Sequence, residues 1–157
     1  MANNMHALEL KIPPPVVAVL TAAAMWGIAK LAPWVDVPAS IRAPLAITLA
    51  LIGAAFDLSG VIAFRRSKTT VNPMKPDQAA ALVCSGVYRL TRNPMYVGLV
   101  FVLVSWAVYL SCAWALLGPV AFVLYMNRFQ IQPEERALST LFGSRYEDYK
   151  SGVRRWL

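Results

Sequence analysis

The chain has 157 residues, 58% hydrophobic and 15% charged, with a mean hydropathy of +0.52. Soluble domains are about half apolar and about a quarter charged, so this is the composition of a membrane protein; about four crossings of about 20 residues fill the length and exclude an added dinucleotide-binding domain. The net charge of +7 in so apolar a chain points to anionic lipid headgroups and excludes a nucleic-acid binder, while one histidine (His6) and two distant cysteines (Cys84, Cys112) exclude a closed zinc site and a disulfide scaffold.

Residues 12–35 form the first predicted span. Pro13-Pro14-Pro15 presets a helix start, Lys30 is the one charge before Val35, and Trp26 and Trp34 stand where interface anchors belong. Residues 43–64 form the second span, charged only at Asp57 and closed by Arg65 and Arg66. Residues 65–92 read as a cytoplasmic linker, an ordered loop around Asn72-Pro73 and Lys75-Pro76. No charge occurs from Asn93 to Asn127, about 53 Å as helix, too long for one span and short for two. Residues 94–127 are therefore predicted as a tight helical hairpin turning near Leu110–Ala113, with Gly118-Pro119 kinking the second arm. In the tail, 128–157, Pro133 can open a helix with Glu134 and Glu135 in its first turn, and Gly143 can end it. Leu138, Leu141, Phe142, Tyr146, Tyr149, Val153 and Trp156 give the tail an amphipathic face, with Tyr146 and Tyr149 as interfacial anchors.

Twelve of the fifteen basic residues lie in the linker and the tail, segments separated by an even number of spans. The positive-inside rule then places both in the cytoplasm. The expected fold is an all-α membrane protein: a single integral-membrane domain of about four transmembrane helices with a cytoplasmic amphipathic tail, both termini inside, in a bacterial inner membrane.

Polar residues gather at Gly86–Gly98 before the hairpin and from Asn127 to Glu135 after it. A hairpin returns its end to the face where it began, so these clusters must converge. Their carboxylates, arginines, phenols and amides include no metal set; they suit a ligand with an amino-acid head and a cationic centre. Plainer readings stand beside this one: Gly98 as a helix-packing point, Arg92 as a snorkelling cation, and Glu134 and Glu135 as first-turn charges. Asp57, a carboxylate inside a span, either contacts the site or bonds a neighbouring helix.

The pattern G-x-Y-x-x-x-R-N-P-x-Y-x-G from Gly86, the hairpin, and P-E-E-R-A-L-x-x-x-F-G-x-x-Y-x-x-Y from Pro133 resemble the isoprenylcysteine carboxyl methyltransferase and phospholipid methyltransferase superfamily of integral-membrane enzymes. The resemblance covers about residues 70–157 and implies methyl transfer from S-adenosylmethionine at the cytoplasmic face to a lipophilic or amphipathic acceptor. It makes Tyr88, Arg92, Asn93, Tyr96, Gly98, Glu134 and Glu135 cofactor-binding; a neutral-amine acceptor would also want a base, for which Glu135 or Glu134 is the nearby candidate, and Asn93 and Arg128 are further candidates for catalysis. Two positions depart from the family. Asn93 replaces a usual histidine, and Gln130 stands where prenylcysteine enzymes commonly carry an arginine for the acceptor carboxylate. Weak activity on a prenylcysteine carboxylate is therefore expected, with an aminophospholipid or lipophilic thiol preferred. A four-helix transporter would need polar groups at the midplane of several spans, and a non-catalytic scaffold gives no reason for two matched motifs. Membrane lipids are the expected surroundings, and the oligomeric state is left open.

Overall fold

The computed structural model describes residues 9–67, 74 and 79–157. His6 and the loop predicted around Asn72-Pro73 and Lys75-Pro76 lie outside them. The regular elements among the described residues are all helical, with no strand among them. Helix α1, Pro14–Leu31, starts where expected, with Pro13 extended (ψ 134°) and Pro14 in the first turn. It stops short of Val35 because Ala32 precedes a proline and goes extended (ψ 157°). Helix α2, Ala39–Arg66, starts four residues before the predicted Ala43, since Pro38 (φ −53°, ψ 137°) supplies a ready helix entry. By length and composition α1 and α2 can each cross a membrane; helix α3, Pro94–Leu110, is apolar but has 17 residues, about 26 Å.

The hairpin turns at Ser111, left-handed at φ 49°, inside the predicted window. The loop joining α1 to α2 meets this turn: the Val35 N–H donates to the Ser111 carbonyl at 2.6 Å, and Arg42 Nη1 donates to Ser111 Oγ at 3.2 Å. Both loops thus mark one end of the bundle, and the two polar motifs the other.

The return arm departs from expectation. A 3-10 turn, Ala113–Leu116, leads into helix α4, Leu117–Tyr125, so Pro119 sits in the first turn, where its missing N–H removes no bond within α4. The irregularity comes later, as a π-helical turn over Met126–Ile131 that runs unbroken into helix α5, Gln132–Phe142. The predicted boundary at 127/128 is absent. Pro133 explains the disturbance, because it cannot donate to the Phe129 carbonyl four residues earlier, which instead accepts the Leu10 N–H at 3.0 Å. Gly143 (φ +53°) ends α5 as predicted, and helix α6, Ser144–Gly152, follows.

Helices α2 and α3 pack almost backbone to backbone. A Cβ at Gly53 would lie 2.7 Å from the Gly98 carbonyl oxygen, one at Gly98 would strike the Asp57 carboxylate, and one at Gly60 would lie 2.6 Å from Met95. Ser105 Oγ donates to the Ala46 carbonyl at 2.7 Å. Against the other side of α3, Met25, Leu103, Phe122, Met126 and Ile131 form the buried core, and Trp106 Nε1 donates to the Ala22 carbonyl at 3.1 Å. Large apolar side chains of α1 and α2, among them Val19, Leu20, Leu51 and Leu58, face outward, as lipid-facing helices require.

Candidate active site

Arg92 precedes the α3 start at Pro94, and Glu135 lies in the first turn of α5; Arg92 Nη2 donates to Glu135 Oε1 at 2.9 Å. Arg155 completes the pair from beyond α6, with Nε to Glu135 Oε1 at 3.1 Å and Nη2 to Glu135 Oε2 at 2.6 Å. Both Glu135 oxygens are thus occupied by guanidiniums. Arg92 Nη1 donates to the Lys150 carbonyl at 3.1 Å, while its Nε is buried without a partner among the described residues. A second cluster lies beside the first: the Tyr96 hydroxyl donates to Glu134 Oε2 at 3.1 Å, and the buried Gln130 is hydrogen-bonded to that hydroxyl. Burial raises the Glu134 carboxyl to about 7 and the neighbouring Glu135 charge adds to the rise, against the opposing pull of the Tyr96 hydrogen bond.

Three phenols line this end. Tyr88 is buried, edge-on to Phe64 at 5.5 Å, and its carbonyl accepts the Tyr149 hydroxyl at 2.7 Å. Tyr146 is buried, and burial pushes the Tyr88, Tyr146 and Tyr149 phenols well above their ordinary range, so all three stay protonated. The expectation that Tyr146 and Tyr149 are interfacial anchors is corrected: they pack inward against the site because α6 folds back onto the turn at Gly86–Arg89. A cavity of about 260 Å³ opens beside Glu135, lined by Gln132, Glu135, Arg136, Ser139 and Lys150.

Arg92, Tyr96, Glu134 and Glu135 are brought together, with Tyr88 beside them. Asn93, Gly98 and Arg128 are used differently. Asn93 Nδ2 donates to the Arg155 carbonyl at 2.9 Å, so its amide ties the segment before α3 to the segment after α6. Asn127 is similarly engaged, accepting Trp156 Nε1 at 3.0 Å. Gly98 has its side-chain direction filled by α2, which makes it a packing point. Arg128 turns to Glu9 at 2.8 Å and stacks on Phe129, because on the π-helical turn it faces the segment before α1. Asp57 sits against Gly98, outside the Glu134/Glu135 cluster.

The sequence reading missed the segment 153–157 as part of the site. It runs beside residues 91–93: the Arg92 N–H donates to the Arg154 carbonyl at 2.9 Å, and Thr91 Oγ1 to the Arg155 carbonyl at 3.1 Å. Arg155 was visible only as one of two adjacent basic residues before Trp156, with no spacing to separate it from a headgroup cation.

A chain whose described residues form helices and no strand, with outward apolar faces and a half-enclosed cluster of carboxylates, arginines and phenols at one end, belongs to the class of membrane proteins with a polar site at the bundle mouth. The phospholipid methyltransferase family matches over residues 41–145, and the chain belongs to this superfamily of membrane methyltransferases, which includes the isoprenylcysteine enzymes. An uncharacterized protein of Haemophilus influenzae is 44% identical over 63 residues, all of that protein and 40% of this chain. A probable protein-S-isoprenylcysteine O-methyltransferase of Oryza sativa subsp. indica is 34% identical over 110 residues, covering 68% of this chain and 56% of the rice protein. Protein-S-isoprenylcysteine O-methyltransferase B of Arabidopsis thaliana is 28% identical over 110 residues, 68% of this chain and 54% of that protein. The chain therefore spans about half the length of these plant relatives. No solved structure matches it.

Proposed function

We propose that the chain is an S-adenosylmethionine-dependent methyltransferase acting at the cytoplasmic membrane face on a lipophilic or amphipathic acceptor. The observation that carries this reading is the convergence of the two motifs in the Arg92–Glu135 pair and the Tyr96–Glu134 bond. The donor set fits the cofactor: Glu134 answers an ammonium, the orphaned Arg92 Nε can donate to a carboxylate or hydroxyl, and the half-buried Tyr149 ring can meet a sulfonium. When bound, S-adenosylmethionine supplies an electrophilic methyl group. The protein's part is alignment and exclusion of water, since in-line displacement at that methyl needs little acid or base help unless the acceptor is an amine.

For an amine, Glu134 is the better base. Its carboxyl near 7 is poised to take a proton, whereas both Glu135 oxygens are committed to arginines. Of the two carboxylates that could serve as base, this favours Glu134 and leaves Glu135 to bind and orient. The names of the plant relatives support a lipidated acceptor. Gln130, buried and bonded to Tyr96, offers no guanidinium where a prenylcysteine enzyme would, which favours an amine or thiol acceptor.

Calorimetric titration of the purified protein with S-adenosylmethionine is the test. Arg92→Ala and Glu135→Ala should each weaken binding more than tenfold, about 1.4 kcal/mol. Wild-type affinity in both variants, with helicity retained, would remove the cofactor from this site.

A further inference from the structure

The cluster around Glu135 has unbalanced charge. Two guanidiniums, from Arg92 and Arg155, share one carboxylate, and the side chains are 10%, 35% and 14% exposed respectively for Arg92, Arg155 and Glu135. Lys150 and Arg136 stand nearby on the cavity wall, but their own carboxylate partners are Glu147 and Glu9, so they do not relieve the excess with a further anion. Glu134, held near 7 by burial, is only partly ionised at neutral pH. A half-buried positive excess of this kind is stabilised by an anion in van der Waals reach.

Arg155 is built to receive one. Two of its five N–H groups go to Glu135, leaving both Nη1 hydrogens and one on Nη2 without a partner among the described residues. Its backbone is pinned where a ligand-binding residue would need it, with Thr91 Oγ1 and Asn93 Nδ2 both donating to its carbonyl and the adjacent Arg154 carbonyl taking the Arg92 N–H. The neighbouring Trp156 is tied to Asn127 at 3.0 Å, so the segment is fixed on both sides of Arg155. The free edge of the guanidinium is planar and forked, matching a carboxylate better than a point charge would. Beside it, the buried Arg92 Nε is a further unmatched donor.

We infer that Arg155 is a carboxylate-binding residue of the site, its free guanidinium edge taking a carboxylate that balances the Arg92–Glu135–Arg155 cluster. The inference rests on the methyltransferase reading above. A carboxylate can arrive on the amino-acid head of S-adenosylmethionine or on the acceptor, and the experiment separates the two.

The full chain is titrated in detergent micelles with S-adenosylmethionine and with its decarboxylated analogue, as wild type, Arg155→Gln and Arg155→Lys. In parallel, KM is measured for a prenylcysteine carboxylate and for an aminophospholipid. If the cofactor brings the carboxylate, decarboxylation weakens wild-type binding at least tenfold, Arg155→Gln weakens S-adenosylmethionine by a similar factor but leaves the analogue unchanged, and Arg155→Lys recovers part of the loss. If the acceptor brings it, cofactor affinity is level across the variants and only KM for the prenylcysteine carboxylate rises, at least tenfold. Equal losses for both cofactor forms and both acceptors, or no loss for any, overturn the inference while sparing the methyltransferase reading. Arg155→Lys and the wild-type comparison of the two cofactor forms keep the test decisive should Arg155→Gln fail to fold. A wild type that binds neither form of the cofactor overturns that reading and this inference with it.

Discussion

Glu134 and Glu135 are adjacent in sequence and opposite in circumstance. Glu135 is satisfied by two arginines; Glu134 has one phenol and a buried setting that raises it to about 7. Because Glu134 is raised from 4.5, the native chain holds a proton there that the unfolded chain has already lost, so this group's contribution to stability falls as pH rises through the window from 4.5 to about 7. Binding runs the other way. A cationic ligand prefers the carboxylate, so affinity for S-adenosylmethionine should improve roughly tenfold between about pH 6 and about pH 8, following the ionised fraction of a group titrating near 7. Glu134→Gln should flatten that profile, and the difference between the two profiles separates Glu134 from titration of the ligand itself. Profiles of the same slope in wild type and variant would detach Glu134 from the ligand.

Elements explain why some of this was legible in the sequence. Proline and uncharged length fixed the beginnings of α1 and α3 and the turn at Ser111, because these depend on local sterics and on the span of a bilayer. The meeting of Arg92 with Glu135 followed from hairpin geometry alone. What local pattern could not carry were contacts made across the fold: the Asn93 amide on the Arg155 carbonyl, the Leu10 N–H on the Phe129 carbonyl, and a π-helical turn running across the expected hairpin–tail boundary. Gly98 was ambiguous for the same reason, since a motif glycine and a packing glycine look alike until the opposing helix is known. The α2–α3 contact leaves no room for a side chain at either glycine and predicts that Gly53→Ala and Gly98→Ala each destabilise the protein by about 1–3 kcal/mol, the range for overpacking a tight interface. In thermal unfolding both should lower Tm, while the folded fraction keeps its affinity for S-adenosylmethionine. A Gly98→Ala protein of normal Tm that had lost the cofactor would return Gly98 to the site.

At the scale of the whole molecule, the loop after α1 and the turn at Ser111 meet at one end, while Glu9, the end of α2, the start of α3 and α5 with α6 lie toward the other. The hairpin of α3 and the return arm brings the linker and the tail to the same end, and twelve of fifteen basic residues fall in those two segments. The far end is poorer in cations, with Arg42 already bonded to Ser111 and stacked on Tyr109 at 5.8 Å. Under the proposed function, positive-inside would turn the site toward the cytoplasm, with the methyl donor reached from water and the acceptor from the outward apolar faces of the helices. Single cysteines placed at the exposed positions Asp36 and Ser144, in a background lacking Cys84 and Cys112, report the orientation directly. A membrane-impermeant maleimide added to intact cells should label the cysteine at position 36 and leave that at 144 untouched until the membrane is opened. The reverse pattern would put Glu134 and Glu135 on the outer face, away from any cytoplasmic methyl donor, and would overturn the proposed reaction along with the topology.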